Sequence, residues 1–180
     1  TKYNINSLSD KDTFTVTTVH QLCLFTGPLY FVYKIISTIK LVEELKEKYP
    51  EKNFVPVFWM ASEDHDIHEV NHIHIFGKKL EWNNGQKGAV GRMSLEGIEV
   101  VLDDLDKLIG DGENANYLSL LFRDAYLKYA NLADASRYLV NALFGKYGLV
   151  ILDGDDVRLK QHFISIIKKD VLHQGFFETI

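Results

Sequence analysis

The sequence predicts an α/β domain: a Rossmann-like, mostly parallel sheet with flanking helices and an inserted β-hairpin and helical segment. Three observations predict it. Short runs rich in β-branched and aromatic residues, at 14–18, 54–60 and 149–152, alternate with segments of helical period. The run 54–60 is almost continuously apolar, as in a strand covered on both faces. No internal repeat or low-complexity linker divides the 180 residues, so a single domain over 1–180 is expected, with an insertion at about 72–130.

Residues 1–12 are polar, with Asn4, Asn6, Ser7, Ser9, Asp10 and Asp12, and read as a lead-in loop. Phe14 to Thr18 alternates aromatic and β-branched residues and is a strand. Pro28 then opens a helix, where its missing donor costs nothing, and Leu29, Val32, Ile36, Ile39, Val42 and Leu45 define its apolar face. That helix ends near Tyr49 and Pro50. Pro56 places the start of the 54–60 strand at an edge or irregularity. His72 to Phe76 and Lys79 to Trp82 form a hairpin or meander, followed by the Asn83-Asn84-Gly85 turn. Ser94 is expected to cap a helix running to Ile109, stopped by Gly110 and Gly112. Helices over about 117–129 and 133–146 follow, then a strand at Leu149 to Leu152. The last segment gathers Leu159, Phe163, Ile166, Ile167 and Val171 on one helical face.

Composition excludes several classes. With 46% hydrophobic residues spread along the chain, disorder is ruled out. A single cysteine, Cys23, excludes a disulfide scaffold and suggests a reduced thiol, buried and inert beside Leu22 and Leu24. The net charge of −5 argues against a nonspecific nucleic-acid partner. No apolar run approaches the roughly 20 residues that span a bilayer, so no membrane partner is expected and the cytoplasm is the expected location. The first residue is Thr1 rather than Met, which suggests a fragment.

Ligands of open α/β sheets bind at the carboxyl ends of strands, and three such ends are rich in polar groups here. The first comprises Thr17, Thr18, Val19, His20 and Gln21, leading through Phe25, Thr26 and Gly27 to Pro28. It reads either as an anion-binding turn at a helix start or as an ordinary strand-to-helix turn. It has neither G-x-G-x-x-G nor G-x-x-x-x-G-K-[ST]. The second is Ser62-Glu63-Asp64-His65-Asp66-Ile67-His68-Glu69-Val70-Asn71-His72. Four of the seven histidines, counting His74, fall within ten residues among four carboxylates. On a helix, His65 with Glu69, or His68 with His72, would share a face and could hold a metal. The same groups could bind an ammonium or act as acid and base. Alternatively the carboxylates complement a helix dipole. The third end, Leu152-Asp153-Gly154-Asp155-Asp156, offers carboxylates for ribose hydroxyls or magnesium, or a plain helix cap.

At these three ends the sequence resembles the bacillithiol biosynthesis cysteine-adding enzyme family, the cysteine ligases of that pathway. The strings L-F-T-G-P-L-Y (24–30), W-M-A-S-E-D-H-D (59–66) and Tyr147 to Asp153 carry the resemblance, which runs across nearly all of the chain. It implies a Rossmann-type, nucleotidyltransferase-like core, incomplete here, with the later core strands and a dimerising C-terminal coiled coil absent. It implies a ligase joining cysteine to glucosaminyl malate in the last step of bacillithiol biosynthesis, as a homodimer in the full-length protein. ATP or another nucleotide is the implied activator, and the isolated fragment is expected to be inactive. On this resemblance the catalytic candidates are His20, Asp64 and His65. The candidates for substrate or nucleotide binding are Thr18, Gln21, Thr26, Gly27, Glu63, Asp66, Asn71, Asp153 and Asp155. Two departures stand out: Val19 replaces the family's usual Gly, where a Cβ would oppose a positive φ, and Phe25-Thr26-Gly27-Pro28 takes the place of the synthetase H-x-G-H signature. Two other readings remain open from sequence: a metal-dependent hydrolase using residues 63–72, and a noncatalytic nucleotide-binding domain.

Overall fold

A computed structural model describes residues 1–173. Its centre is a three-stranded, wholly parallel sheet in the order β1 (Thr13–His20), β2 (Asn53–Met60) and β5 (Val150–Asp153). Period-two alternation sorts β2 between two layers. Phe58 and Met60 join the main core, whereas Val55 and Val57 pack with Val150 and Leu152 on the other face. β5 pairs only with Val57 to Met60, so Pro56 lies in the part of β2 that has β1 alone as neighbour. This is the edge position that a residue without an amide donor tolerates.

α2 (Leu29–Lys48) connects β1 to β2 and packs on both. Its buried stripe is Phe31, Ile35, Thr38, Ile39 and Val42. The face expected from Leu29 and Ile36 is corrected: both are exposed, together with Tyr30, Tyr33 and Leu41. Two equally periodic stripes run along this helix, and the aromatic contact of Phe31 with Phe58, 5.3 Å between ring centroids, decides which turns inward. Burial of such side chains is worth about 1.5–3 kcal/mol each. Thr38 is tolerated in the stripe because its hydroxyl donates to the Lys34 carbonyl at 2.9 Å.

Between β2 and β5 lie the single-turn α3 (Ile67–Val70), the hairpin β3 (His72–Ile75) and β4 (Lys78–Glu81), and the helices α4 (Ile98–Ile109), α5 (Glu113–Lys128) and α6 (Leu132–Phe144). Phe76 and Gly77 both take positive φ, the conformation that a two-residue hairpin turn demands. α4 does not begin at Ser94. It starts at Ile98, because Ser94 is engaged by the Gln86 side chain and by a bridge to Asn131. Asn131 instead caps α6 by accepting from the Asp134 amide at 2.8 Å. Arg123 on α5 joins Asp103 and Asp106 of α4, fastening the two helices.

The chain ends its described part in α7 (Val157–His173), as its period predicts. Asp156 caps it by accepting from the Arg158 amide at 2.9 Å. Its apolar residues Phe163, Ile166, Ile167 and Val171 are exposed. No helix of the described residues is long and apolar enough to cross a membrane.

The expected lead-in loop is wrong for residues 2–7, which form the short helix α1 (Lys2–Ser7). Its buried Asn4 donates from Nδ2 to the Gly148 carbonyl at 2.6 Å, fixing the left-handed turn that enters β5. A long-range side-chain bond of this kind leaves no local periodic signal. Replacing Asn4 with Ala should cost about 1–2 kcal/mol, because a carbonyl loses its buried donor. Chemical unfolding of the variant beside the parent measures it.

Candidate functional site

The carboxyl ends of β1, β2 and β5 lie side by side, with His20, Met60 and Asp153 in register. β1 stays extended through Val19, and the conflict expected between its Cβ and a positive φ does not arise. Left-handed backbone occurs further on, at Phe25 (φ 51°), Thr26 (φ 67°) and Gly27 (φ 53°). For a bulky and a β-branched residue this conformation costs about 1–3 kcal/mol each, so surrounding structure must impose it. The Phe25 amide donates to the Tyr126 hydroxyl at 2.9 Å, and the Phe25 ring packs on Phe122 and Tyr126 at 5.0 and 5.3 Å. Gly27 is required twice over: by its φ, and because a Cβ would come within 2.2 Å of Cys23 Cβ. The turn lines an open groove of about 580 Å³, together with Glu69, His72 and His74 and with Leu105, Leu118 and Phe122 from the helices.

Beside this turn, Gln21 donates from Nε2 to Asp64 at 2.7 Å and to Glu69 at 2.6 Å. Asp64 also accepts from the Asp66 amide at 2.9 Å. That backbone donor and then Gln21 hold its carboxyl below the usual carboxylate range. His20 stands next to the cluster, with Nδ1 3.1 Å from the Gln21 carbonyl and its ring against Phe31 at 5.1 Å. Burial holds its pKa below the ordinary imidazole value, with Lys34 adding to the effect. Cys23 Sγ is 3.7 Å from His20 Nδ1, yet burial, reinforced by Glu69, pushes the thiol up to about 11. It is therefore a protonated thiol at neutral pH, as its apolar neighbours suggested.

The third strand end forms a second cluster. Fully buried Ser62 donates its hydroxyl to Asp153 and accepts from the Asp155 amide at 3.1 Å. Arg137 donates to Asp153 at 3.0 Å, and Arg92 and Lys160 both engage Asp155. Asp155 lies below the usual carboxylate range chiefly through Arg92, with burial opposing. Glu63 belongs here too: a Cβ on Gly154 would meet its Oε2 at 2.5 Å. The 3-10 turn carrying Arg92 is seated by the Gly91 amide on the Ser62 carbonyl and the Val90 amide on the Asp64 carbonyl, at 2.9 and 2.7 Å.

Of the residues singled out from sequence, Gln21 and Asp64 come together with Glu69, His20 adjoins them through the Gln21 carbonyl, and Thr26 and Gly27 lie on the adjoining groove. Glu63, Asp153 and Asp155 meet in the second cluster. The others play different parts. Thr18 is opposite Phe58 within the sheet, and Asp66 caps α3 through the His68 amide. Buried Asn71 holds the His72 ring and accepts from the Trp82 amide. His65 has its side chain 88% exposed and its Nδ1 3.7 Å from Asp64 Oδ1, at the rim of the first cluster. The helical spacing that would pair His65 with Glu69, or His68 with His72, is corrected as well: α3 spans one turn and His72 already belongs to β3. Among the described residues no three His, Cys, Asp or Glu side chains converge on a metal position. Sequence reasoning missed Arg92 and Tyr126, which reach the site from 63 and 101 residues along the chain.

Parallel strands joined through helices, with polar side chains gathered at one carboxyl edge, define a Rossmann-like domain. The whole chain, residues 1–180, matches the family model described as "Bacillithiol biosynthesis BshC, N-terminal Rossmann-like domain", and the chain belongs to that family. It is 56% identical over 175 residues to a protein of Flavobacterium psychrophilum named "Putative cysteine ligase BshC", covering 97% of this chain and 33% of that protein. Proteins of the same name from Flavobacterium johnsoniae and Bacillus cereus are 54% and 30% identical, over 100% and 94% of this chain and 34% and 33% of theirs. The chain spans about a third of the length of these relatives.

The low His20 pKa has a pH consequence. The unfolded chain binds the proton more readily than the folded one, so stability is full above about 6.5 and falls as the pH drops through that value. Unfolding midpoints at pH 7.5 and 5.5 should differ less in a His20→Gln variant than in the parent.

Proposed function

We propose that this domain carries part of the active site of a cytoplasmic, nucleotide-driven ligase. The reaction joins the carboxyl group of cysteine to the amino group of glucosaminyl malate, the cysteine-adding step of bacillithiol biosynthesis. The observation that carries this reading is the charge arrangement at one sheet edge. Two carboxylates, Asp64 and Glu69, share a single Gln21 amide, while Arg92 and Arg137 line the neighbouring strand end. An amide-forming site must accept an ammonium, and Asp64 and Glu69 offer negative charge for one, while the arginines, already paired with Asp155 and Asp153, fix the strand end beside them. The name borne by the relatives supports the same reading.

In this scheme Asp64 and Glu69 bind a substrate ammonium, which competes with Gln21 for their oxygens. The ammonium first gives up one proton to water to become the attacking amine, and His20, neutral at pH 7, accepts the second as the amide forms. A carboxylate oxygen is a poor leaving group, and a nucleoside triphosphate, ATP or another, supplies its activation. Gly27 leads directly into the N-terminus of the twenty-residue α2, whose first backbone donors suit a phosphate. Glu63, Asp153 and Asp155 close the other side of the cleft. Because the synthetase histidines are replaced at 25–28, proton transfer falls to His20 rather than to that signature. Dimerisation of the full-length protein belongs to the same proposal.

The test uses the complete open reading frame, incubated with cysteine, glucosaminyl malate and ATP, with bacillithiol followed by mass and ADP or AMP by chromatography. Product with stoichiometric nucleotide cleavage is expected. Folded protein that binds nucleotide and makes no product would defeat the proposal in favour of a noncatalytic domain. Asp64→Asn should lower kcat/KM at least about tenfold, the equivalent of 1.4 kcal/mol of lost transition-state stabilisation.

A further inference from the structure

The left-handed turn at Phe25–Gly27 forms one wall of the groove, yet two of its three residues are poorly suited to that conformation. Nothing within the turn itself compensates beyond the Gly27 amide bonding to the Leu24 carbonyl at 2.7 Å. The compensation comes from α5, a helix of the segment between β2 and β5. There Tyr126, 1% exposed, presents its hydroxyl to the Phe25 amide and its ring to the Phe25 ring. Strain imposed from a distance and located at a ligand groove marks a shape kept for binding rather than for folding. We infer that Tyr126 is a positioning residue: its buried hydroxyl holds the Phe25–Gly27 turn in the form that shapes the groove for substrate or nucleotide.

Tyr126 touches no reacting group, so it acts through the turn alone. Burial pushes its phenol well above the ordinary tyrosine value, and it stays protonated throughout the neutral range. Without the hydroxyl, the Phe25 amide has no acceptor in its buried place, and the turn relaxes toward ordinary backbone geometry. Thr26 would then swing out of its left-handed conformation, and the wall of the groove would change shape. This inference deepens the ligase reading of the groove and rests on it for the identity of the ligand, though the clamp itself does not.

The test compares Tyr126→Phe with the parent, using the protein from the complete open reading frame. Hydrogen exchange should accelerate about tenfold in peptides covering residues 22–28 and stay unchanged in those covering β2. KM for at least one of cysteine, glucosaminyl malate and ATP should rise about tenfold with kcat within about twofold, since uniform binding is lost and not chemistry. A merely structural role would lower active protein and thermal midpoint and leave KM alone. In a Thr26→Gly background, where one of the two strained positions is relieved and Phe25 alone still needs the clamp, the effect of Tyr126→Phe on KM should be smaller than in the parent. Unchanged exchange at 22–28, acceleration spread evenly over the sheet, or an unchanged KM for all three substrates would overturn the inference. Should the parent make no product, that failure belongs to the ligase reading, and the exchange result alone decides the clamp.

Discussion

The buried hydroxyl of Ser62 is the joint on which the carboxyl edge of the sheet depends. It links the end of β2 to the Asp153 carboxylate and the Asp155 amide, while its carbonyl seats the turn at 90–92 through Gly91. Space is as tight as the bonding, since a Cβ on Gly91 would come within 2.6 Å of Ser62 Cβ. Losing one member would strand a buried polar group at a cost of about 1–3 kcal/mol, so the three segments hold their relative positions together. The joint seats the 90–92 turn that carries Arg92 at the strand ends, and Arg137 reaches Asp153 there from α6.

Charge at this edge is arranged in two ways. Around Asp153 and Asp155 each carboxylate has a cationic partner, giving a locally neutral and ordered cluster. Around Asp64 and Glu69 the shared partner is a neutral amide, with the exposed His65 ring 3.7 Å from Asp64. The second arrangement is the one that attracts a cation from solution, whereas the first mainly fixes geometry. His20, between them and the core, is kept neutral by burial and gains little from either.

The sheet, the hairpin and most helices are legible in the sequence, because β2 is apolar from Phe54 to Met60 and the later helices keep a clear period. Where two periods compete, as in α2 with Leu29 and Ile36 against Phe31 and Ile35, only the partner surface decides. Ser94 looked like a cap, and its hydroxyl was taken by Gln86 instead. At the site, the local strings 20–21 and 62–66 were readable, since each lies at one strand end. Arg92, Arg137 and Tyr126 are different in kind. They enter from other elements, and their roles depend on tertiary distances that no local spacing encodes. The histidines misled for the same reason, having been spaced for a helix that lasts a single turn.

The sheet topology also sets an order of assembly. β1, α2 and β2 are close in sequence, but β5 pairs Val150 with Val57, across 93 intervening steps of chain. At synthesis rates of about 5–20 residues per second, β2 therefore waits for roughly 5–20 s on the ribosome before its second neighbour exists. During that interval its Val57 to Met60 edge is open, and the helical segment 98–144 is synthesised before the gap can close. Mutations that slow the folding of those connecting helices would lengthen the time for which this edge stays open.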